Sequence, residues 1–405
     1  MGYAQFTKEI NLMSYDFTTL VDRTGMGAEK WEGMYRTNPN VPAGTVPLSV
    51  ADMELKNPPE LLEGLKEYLE TSIWGYTGPT ESYYKAVQNW MQRRHGFTPP
   101  KEWFVLTPGV VPALYKMVEA FTAPGDSVLV TSPVYGPFFS AALAKNTRTL
   151  VENHLILKDN AYEFDWEDFE AKTALPEVKL YIMSSPHNPI GRIWTRDELL
   201  KIADICLRNN VFILCDEIHN DLILPGYEHV SMGTFEEKYL MNCVICTAPS
   251  KTFNLAGFQT SNIFIPNPEY RSKIQSAGGY FSLNFLGYKA CELAYDRCEG
   301  WLDALLVLLA ENKNISEDFF AEKLPMIKVH ELQGTYLQWL DFHGLGMDAD
   351  ALQDFLATKA YFFSGNGLGF GEDGRCFQRL NLACPSWVLK EALERLYKAV
   401  MELQK

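Results

Sequence analysis

The sequence predicts an α/β protein. Its large domain has a mostly parallel sheet covered by helices on both faces, and a smaller α+β domain accompanies it. Three observations carry this expectation. Short, wholly apolar strand-like runs alternate with amphipathic helical segments through the middle of the chain, the pattern of strands buried on both faces by crossover helices. Polar clusters fall just past the carboxyl ends of those runs, where open parallel sheets bind ligands. The last third then changes character, with long helices separated by a few isolated strand-like segments.

Pro58-Pro59 opens a helix in which Leu61, Leu62, Leu65, Tyr68 and Leu69 share one face. Leu114, Met117, Val118 and Phe121 repeat that spacing after Pro108-Gly109. Pro124-Gly125-Asp126 is a turn signal and introduces a strand over Ser127–Thr131. Lys179–Met183 is the next strand, followed by a helix from Asp197 to Arg208. Thr195 is that helix's N-cap, with Glu198 three residues on. Val211–Cys215 is fully apolar, so it is expected to be buried on both faces, and Val244–Thr247 and Ile263–Ile265 complete the set. Beyond these come a long helix over Trp301–Leu324, the run Gly334–Leu340 and a helix over Asp350–Thr358. A strand-like Cys376–Asn381 and a final helix from Ser386 end the chain.

At 405 residues the chain is too long for one compact core and suits two domains or one large enzyme unit. Its net charge of −15 repels phosphate backbones and argues against nucleic-acid binding, while leaving room for a locally positive site. Met1–Phe17 contains no apolar run flanked by basic residues, and Leu302–Ala310, the longest greasy stretch, is far short of the roughly 20 residues a bilayer needs. Cys243 and Cys246 form a C-x-x-C inside an apolar strand-like run, with no second pair or histidine spacing to complete a zinc set. Buried thiols, no metal site and a reducing, cytoplasmic setting are the expectation.

Five features at the strand ends carry chemistry. Asp216 closes an apolar strand, where a lone carboxylate is costly without a cationic partner. Lys251 stands in a polar turn, Ala248–Asn254, between two strands, and Asn188 in Ser184–Pro189. Thr107–Val111 leads into a helix, so the amides of this segment point at an anion. Tyr135 lies just past a strand and is placed to stack on a ring. Taken singly, each is ordinary: a helix cap, a solvated lysine, a turn, a packed aromatic. In order, at successive strand ends, they match what a pyridoxal 5′-phosphate (PLP) site demands. Such a site needs an imine-forming lysine, a carboxylate that keeps the ring nitrogen protonated, donors to the phenolic oxygen and an amide cradle for the phosphate.

Several segments extend that match: Val50–Met53, Gly75–Thr77, Thr107–Leu114, Ser185–Arg192, Asp216–His219, Ala248–Gly257 and Arg379–Pro385. Together they resemble fold-type I PLP enzymes, the aspartate aminotransferase superfamily, and within it the MalY/PatB group of cystathionine β-lyase-like C–S lyases. The resemblance implies a PLP transferase-like fold, with residues 51–288 as the large domain and 1–50 with 289–405 as the small one. It implies that Lys251 forms the Schiff base and shuttles the proton, and that Asp216 pairs with the ring nitrogen. Asn188 would serve the phenolic oxygen near the substrate carboxylate, and Tyr135 would stack on the ring. Gly109, Val110, Val111 and Ser250 would cradle the phosphate, and Arg379 with Asn188 and Ala51 would meet the substrate. Tyr76 would reach the phosphate from a partner subunit, implying a homodimer with shared sites.

Three positions depart from the aminotransferase pattern. His219 stands where Tyr is usual and is expected to contact the cofactor oxygen, Gln259 replaces a phosphate-binding Arg, and Ala248 replaces a Ser. The first and third are shared by much of the C–S lyase group. The activity implied is β-elimination from cystathionine, cystine or another cysteine S-conjugate to pyruvate, ammonia and a thiol. An aminotransferase uses the same first steps and stays open as the alternative. MalY-like proteins also bind a transcriptional regulator, which leaves a regulatory binding role as a third reading.

Overall fold

The computed structural model describes residues 15–143, 147–277 and 283–403. The strands in chain order begin with β1 (Phe104–Thr107), β2 (Ser127–Ser132), β3 (Thr149–His154), β4 (Ile156–Lys158), β5 (Ala161–Glu163) and β6 (Val178–Ser184). They continue with β7 (Phe212–Asp216), β8 (Cys243–Thr247), β9 (Ser261–Phe264), β10 (Lys328–Val329), β11 (Leu337–Asp341), β12 (Gly365–Asn366) and β13 (Phe377–Asn381). A seven-stranded sheet runs β1-β9-β8-β7-β6-β2-β3. Strands β8, β7, β6, β2 and β3 are mutually parallel, and β9 is antiparallel to both its neighbours.

Side chains of a strand alternate between faces, and here the two faces feed two separate cores. Leu129, Tyr181, Ile213 and Ile245 belong to one. Val128, Leu180, Leu214 and Val244 belong to the other. This is why the runs read as continuously apolar. The strand order also reverses between β2 and β6, since β3 follows β2 outward while β7 and β8 extend the other way. Such a switch point opens a crevice at the carboxyl edge. Tyr135 follows β2 there and Asn188 follows β6.

Helix Arg196–Arg208 starts on the expected capping box between Thr195 and Glu198. Helix Pro59–Thr71 departs from expectation. Of its anticipated apolar face only Leu61 is buried, together with Gly64, while Leu62 and Leu69 are exposed. The reason is Gly64: a Cβ there would sit 2.8 Å from the Leu293 methyls, so helix Phe285–Arg297 packs on the Leu61/Gly64 stripe instead. Strands β1 and β3 have no counterpart among the expected elements. Both are edges of the sheet, and β3 carries Glu152, Asn153 and His154, which hide it as an apolar run.

A second, antiparallel sheet, β10-β11-β13-β12, lies with helices Glu299–Lys323 and Ser386–Leu403, which pack on each other. Residues 48–54 join the two sheets. Asn381 on β13 donates to the carbonyls of Val50 and Asp52 (both 2.7 Å), and Asn254, beyond β8, exchanges two hydrogen bonds with the Met53 backbone. Beneath this segment lies a buried ion cluster. Lys30 Nζ is 2.7 Å from Asp52 and 3.1 Å from Glu54, and Arg23 bridges the same two carboxylates at 3.0 and 2.8 Å. Trp31 donates to the remaining Glu54 oxygen at 3.1 Å.

Removing one member of a fully buried pair strands the other. Lys30→Ala is therefore expected to lower equilibrium stability by about 3–5 kcal/mol, read as a fall in the urea midpoint. A variant as stable as the parent contradicts this role for the cluster.

Candidate active site

The carboxyl edges of β6, β7 and β8 are level. Ser184 pairs in register with Asp216, and Asp216 with Cys246. The residues just past each strand therefore open onto one crevice. A single pocket there is lined by Ala51, Gly109, Val110, Val111, Tyr135, Asn188, Asp216, His219, Ser250 and Lys251. Ten of the twelve residues singled out from sequence thus meet at one place. Arg379 adjoins it through Asn188. Tyr76 does not: it is fully exposed on the surface of this chain. Lys251 is not in a turn as expected but on a one-turn helix, Pro249–Thr252, because Pro249 at its start tolerates the unsatisfied N–H position.

Lys251 Nζ donates to the Ala51 carbonyl at 2.6 Å, and Tyr336 donates to the same oxygen at 2.9 Å. Removal from water and the nearby Arg379 cation push the Lys251 pKa down to about 8, against the pull of Asp52 and Asp216. Asp216 is displaced the other way. Burial pushes it up to about 7, although the Ile218 N–H (3.1 Å) and Lys251 stabilise its charge. Its carboxylate has no salt bridge among the described residues, so a ligand cation placed here has an uncompensated anion to meet.

Arg379 is buried, with its Nη1 donating to Asn188 Oδ1 at 3.0 Å and its Nη2 to the Ser49 carbonyl at 3.1 Å. Its Nε has no partner among the described residues, and the guanidinium lies 4.6 Å over the Phe370 ring. Burial without a facing carboxylate pulls its pKa down to about 10. A buried guanidinium left in this state is a receptor for an incoming carboxylate. His219 is buried with an unpartnered Nδ1, and burial beside Lys251 and Arg379 keeps its ring neutral.

The other end of the pocket is an anion cradle. Helix Val110–Phe121 begins after Gly109, whose φ of +143° excludes ordinary side chains, and no side chain caps it. The N–H groups of Val110 and Val111 are free of intrahelical partners, and residue 112 is a proline with no N–H to offer. Ser250 and Gln259 line the same pocket. The residues present thus fit a ligand with an anionic group at one end and a cationic ring nitrogen at the other, with an aldehyde carbon near the amine. Sequence reasoning misses Tyr336 and Ser49. Both act through backbone contacts made across hundreds of residues, and no local motif marks them.

The family sequence model described as aminotransferase class I and II matches residues 43–396. Cystathionine beta-lyase PatB of Bacillus subtilis is 40% identical over 358 residues, covering 88% of this chain and 92% of PatB. Protein MalY of Escherichia coli is 29% identical over 95% of this chain and 99% of its own. Among solved structures, cystalysin from Treponema denticola, whose crystal structure contains a pyridoxal 5′-phosphate cofactor, superposes with a TM-score of 0.94. It is 47% identical over 96% of this chain and 99% of its own. The chain belongs to the class I and II aminotransferase family, and within it groups with PatB and MalY.

Proposed function

We propose that this protein is a PLP-dependent C–S β-lyase that cleaves cystathionine or other cysteine S-conjugates to pyruvate, ammonia and a thiol. One observation carries the reading. One pocket holds a lysine poised near neutrality and a buried carboxylate without a salt bridge, and a buried guanidinium without an acid adjoins it through Asn188. The relatives named cystathionine beta-lyase favour elimination over amino-group transfer.

Asp216 would hold the protonated ring nitrogen, Tyr135 would pack on the ring, and Asn188 and His219 would face the phenolic oxygen. The amides of Gly109, Val110 and Val111, with Ser250, would hold the phosphate. When bound, PLP supplies an aldehyde carbon that joins to an amine and a ring that accepts the electrons left by the departing Cα proton. Arg379 and Asn188 bind the substrate carboxylate and so fix the direction of the Cα–H bond. Lys251 Nζ, which the Ala51 carbonyl holds at the pocket, takes that proton. The Cβ–S bond then breaks with its electron pair on sulfur. Overall, substrate and one water give pyruvate, ammonia and the thiol.

We further read the protein as a cytoplasmic homodimer in which Tyr76 serves the partner's site. The exposed run Ile73, Trp74 and Tyr76 supports a covering second copy, and all eight cysteines are free and buried. No helix among the described residues is long and apolar enough to cross a membrane. Residues 51–288 are read as the cofactor domain, and 1–50 with 289–405 as the smaller one; residues 1–14 of the latter lie outside the described residues.

Incubation with cystathionine and no keto acid is expected to yield pyruvate and thiol in equal amounts. Strict dependence on a keto acid would instead make the protein an aminotransferase. Lys251→Ala is expected to lower that rate by on the order of 10⁴-fold; a variant with near-parental turnover contradicts the assignment. Arg379→Gln loses charge-assisted bonds of about 1.5–3 kcal/mol each, so KM is expected to rise by roughly 10²-fold, and an unchanged KM places the carboxylate elsewhere. Only a neutral amine joins to an aldehyde, so the rate at which the PLP-free protein takes up PLP should climb as pH rises through about 8, where the free Lys251 amine deprotonates. An uptake rate that is flat from pH 6 to 9 removes Lys251 as that amine.

A further inference from the structure

We infer that Asp221 is a positioning residue that, acting through Thr252, fixes the Lys251 amine relative to Asp216 and His219. The inference rests on Lys251 being the proton carrier proposed above. Asp221 lies five residues after Asp216 and is buried, and it touches neither the pocket nor solvent. Its Oδ2 accepts from the Thr252 hydroxyl at 2.7 Å. Its Oδ1 accepts from Trp90 Nε1 at 3.0 Å and from His95 Nε2 at 2.8 Å. Thr252 is the residue after Lys251 and is itself fully buried.

The local backbone explains why this matters. The helix that carries Lys251 has four residues, too few for the cooperative ladder that holds a longer helix. Its own bonds are Phe253 N–H to Pro249 and Leu255 N–H to Ser250, both 3.0 Å. Its placement therefore depends on side-chain anchors at its carboxyl end. Asn254 supplies one, to the Met53 backbone. Asn57 supplies another, to the Phe253 carbonyl at 3.3 Å, and Thr252 supplies the one that leads to Asp221.

The opposite end of the Thr252 anchor is rigidly part of the pocket wall. Residues 216–222 form a closed turn: Ile218 N–H bonds Asp216 Oδ1, Asn220 N–H bonds the Glu217 carbonyl and Leu222 N–H bonds the His219 carbonyl. Asp221 is thus in the same rigid unit as Asp216 and His219. Trp90 braces the carboxylate from behind, stacked on Tyr295 at 4.9 Å and edge-on to Phe253 at 5.6 Å. Burial alone would raise the Asp221 pKa, but the bonds from His95 and Thr252 and the charges of His95 and Arg94 outweigh it and hold the group ionised. A charged acceptor makes a short, directional anchor.

The test uses PLP-loaded protein and three variants: Thr252→Val, Thr252→Ser and Asp221→Asn. Each is read by kcat, KM, melting temperature and the pH titration of the visible absorbance of bound PLP. Displacing a reacting group by about an ångström costs on the order of 10²-fold in rate. Thr252→Val is expected to lose kcat on that scale with KM little changed and the absorbance midpoint displaced. Thr252→Ser, which keeps the hydroxyl, should restore both. A Thr252→Val protein with parental kcat and midpoint, whatever its melting temperature, overturns the inference and reduces the contact to packing. If Thr252→Val fails to fold, Asp221→Asn decides by the same midpoint: displaced supports the inference, parental overturns it. A parent protein that takes up no PLP and releases no pyruvate sinks the proposed function, and this inference with it.

Discussion

The structure turns on charge held away from water at the carboxyl edge of a parallel sheet. Asp216, Arg379 and Lys251 converge there, and none of the three makes a salt bridge with another or with any other described residue. Each would be better solvated outside the protein. The visible outcome is a carboxylate pushed up to about 7, an amine down to about 8 and a guanidinium down to about 10. That tension is useful only if the fold around it is stiff, because a slack pocket would relax by letting the side chains find water or one another.

Stiffness comes from buried polar contacts that are, in contrast, fully paired. Lys30, Arg23, Asp52 and Glu54 neutralise one another beneath residues 48–54 and set the Ala51 carbonyl against Lys251. Asn381 and Asn254 clamp the same segment from the small sheet and from the loop beyond β8. Asp221 gathers three donors on the far side of Lys251. Well-satisfied buried groups of this kind specify one arrangement. The protein places satisfied charge around the site and unsatisfied charge within it, which is the distribution expected where pKa values are tuned for chemistry.

Much of this is legible in the sequence, for a physical reason. Side chains at the ends of buried parallel strands stand out because a polar residue interrupts a continuous apolar run. Asp216 after Phe212–Cys215 and Lys251 after Cys243–Thr247 are the clearest cases. Less legible is anything whose meaning depends on a distant partner. The Arg379–Asn188 bond spans 191 residues, and the exposure of Leu62 and Leu69 comes from how closely another helix approaches Gly64. The edge strand β3 is hidden by its own polarity, since an edge need not be apolar on both faces. Asp221 reads as one more acid in a turn until Thr252, Trp90 and His95 are seen to meet on it.

The most direct measurement is chemical. The purified protein is incubated with PLP, reduced with borohydride, digested, and the modified peptide located by mass spectrometry. A single adduct on the side chain of residue 251 is the result this account requires. An adduct confined to another lysine, or none at all, would contradict it.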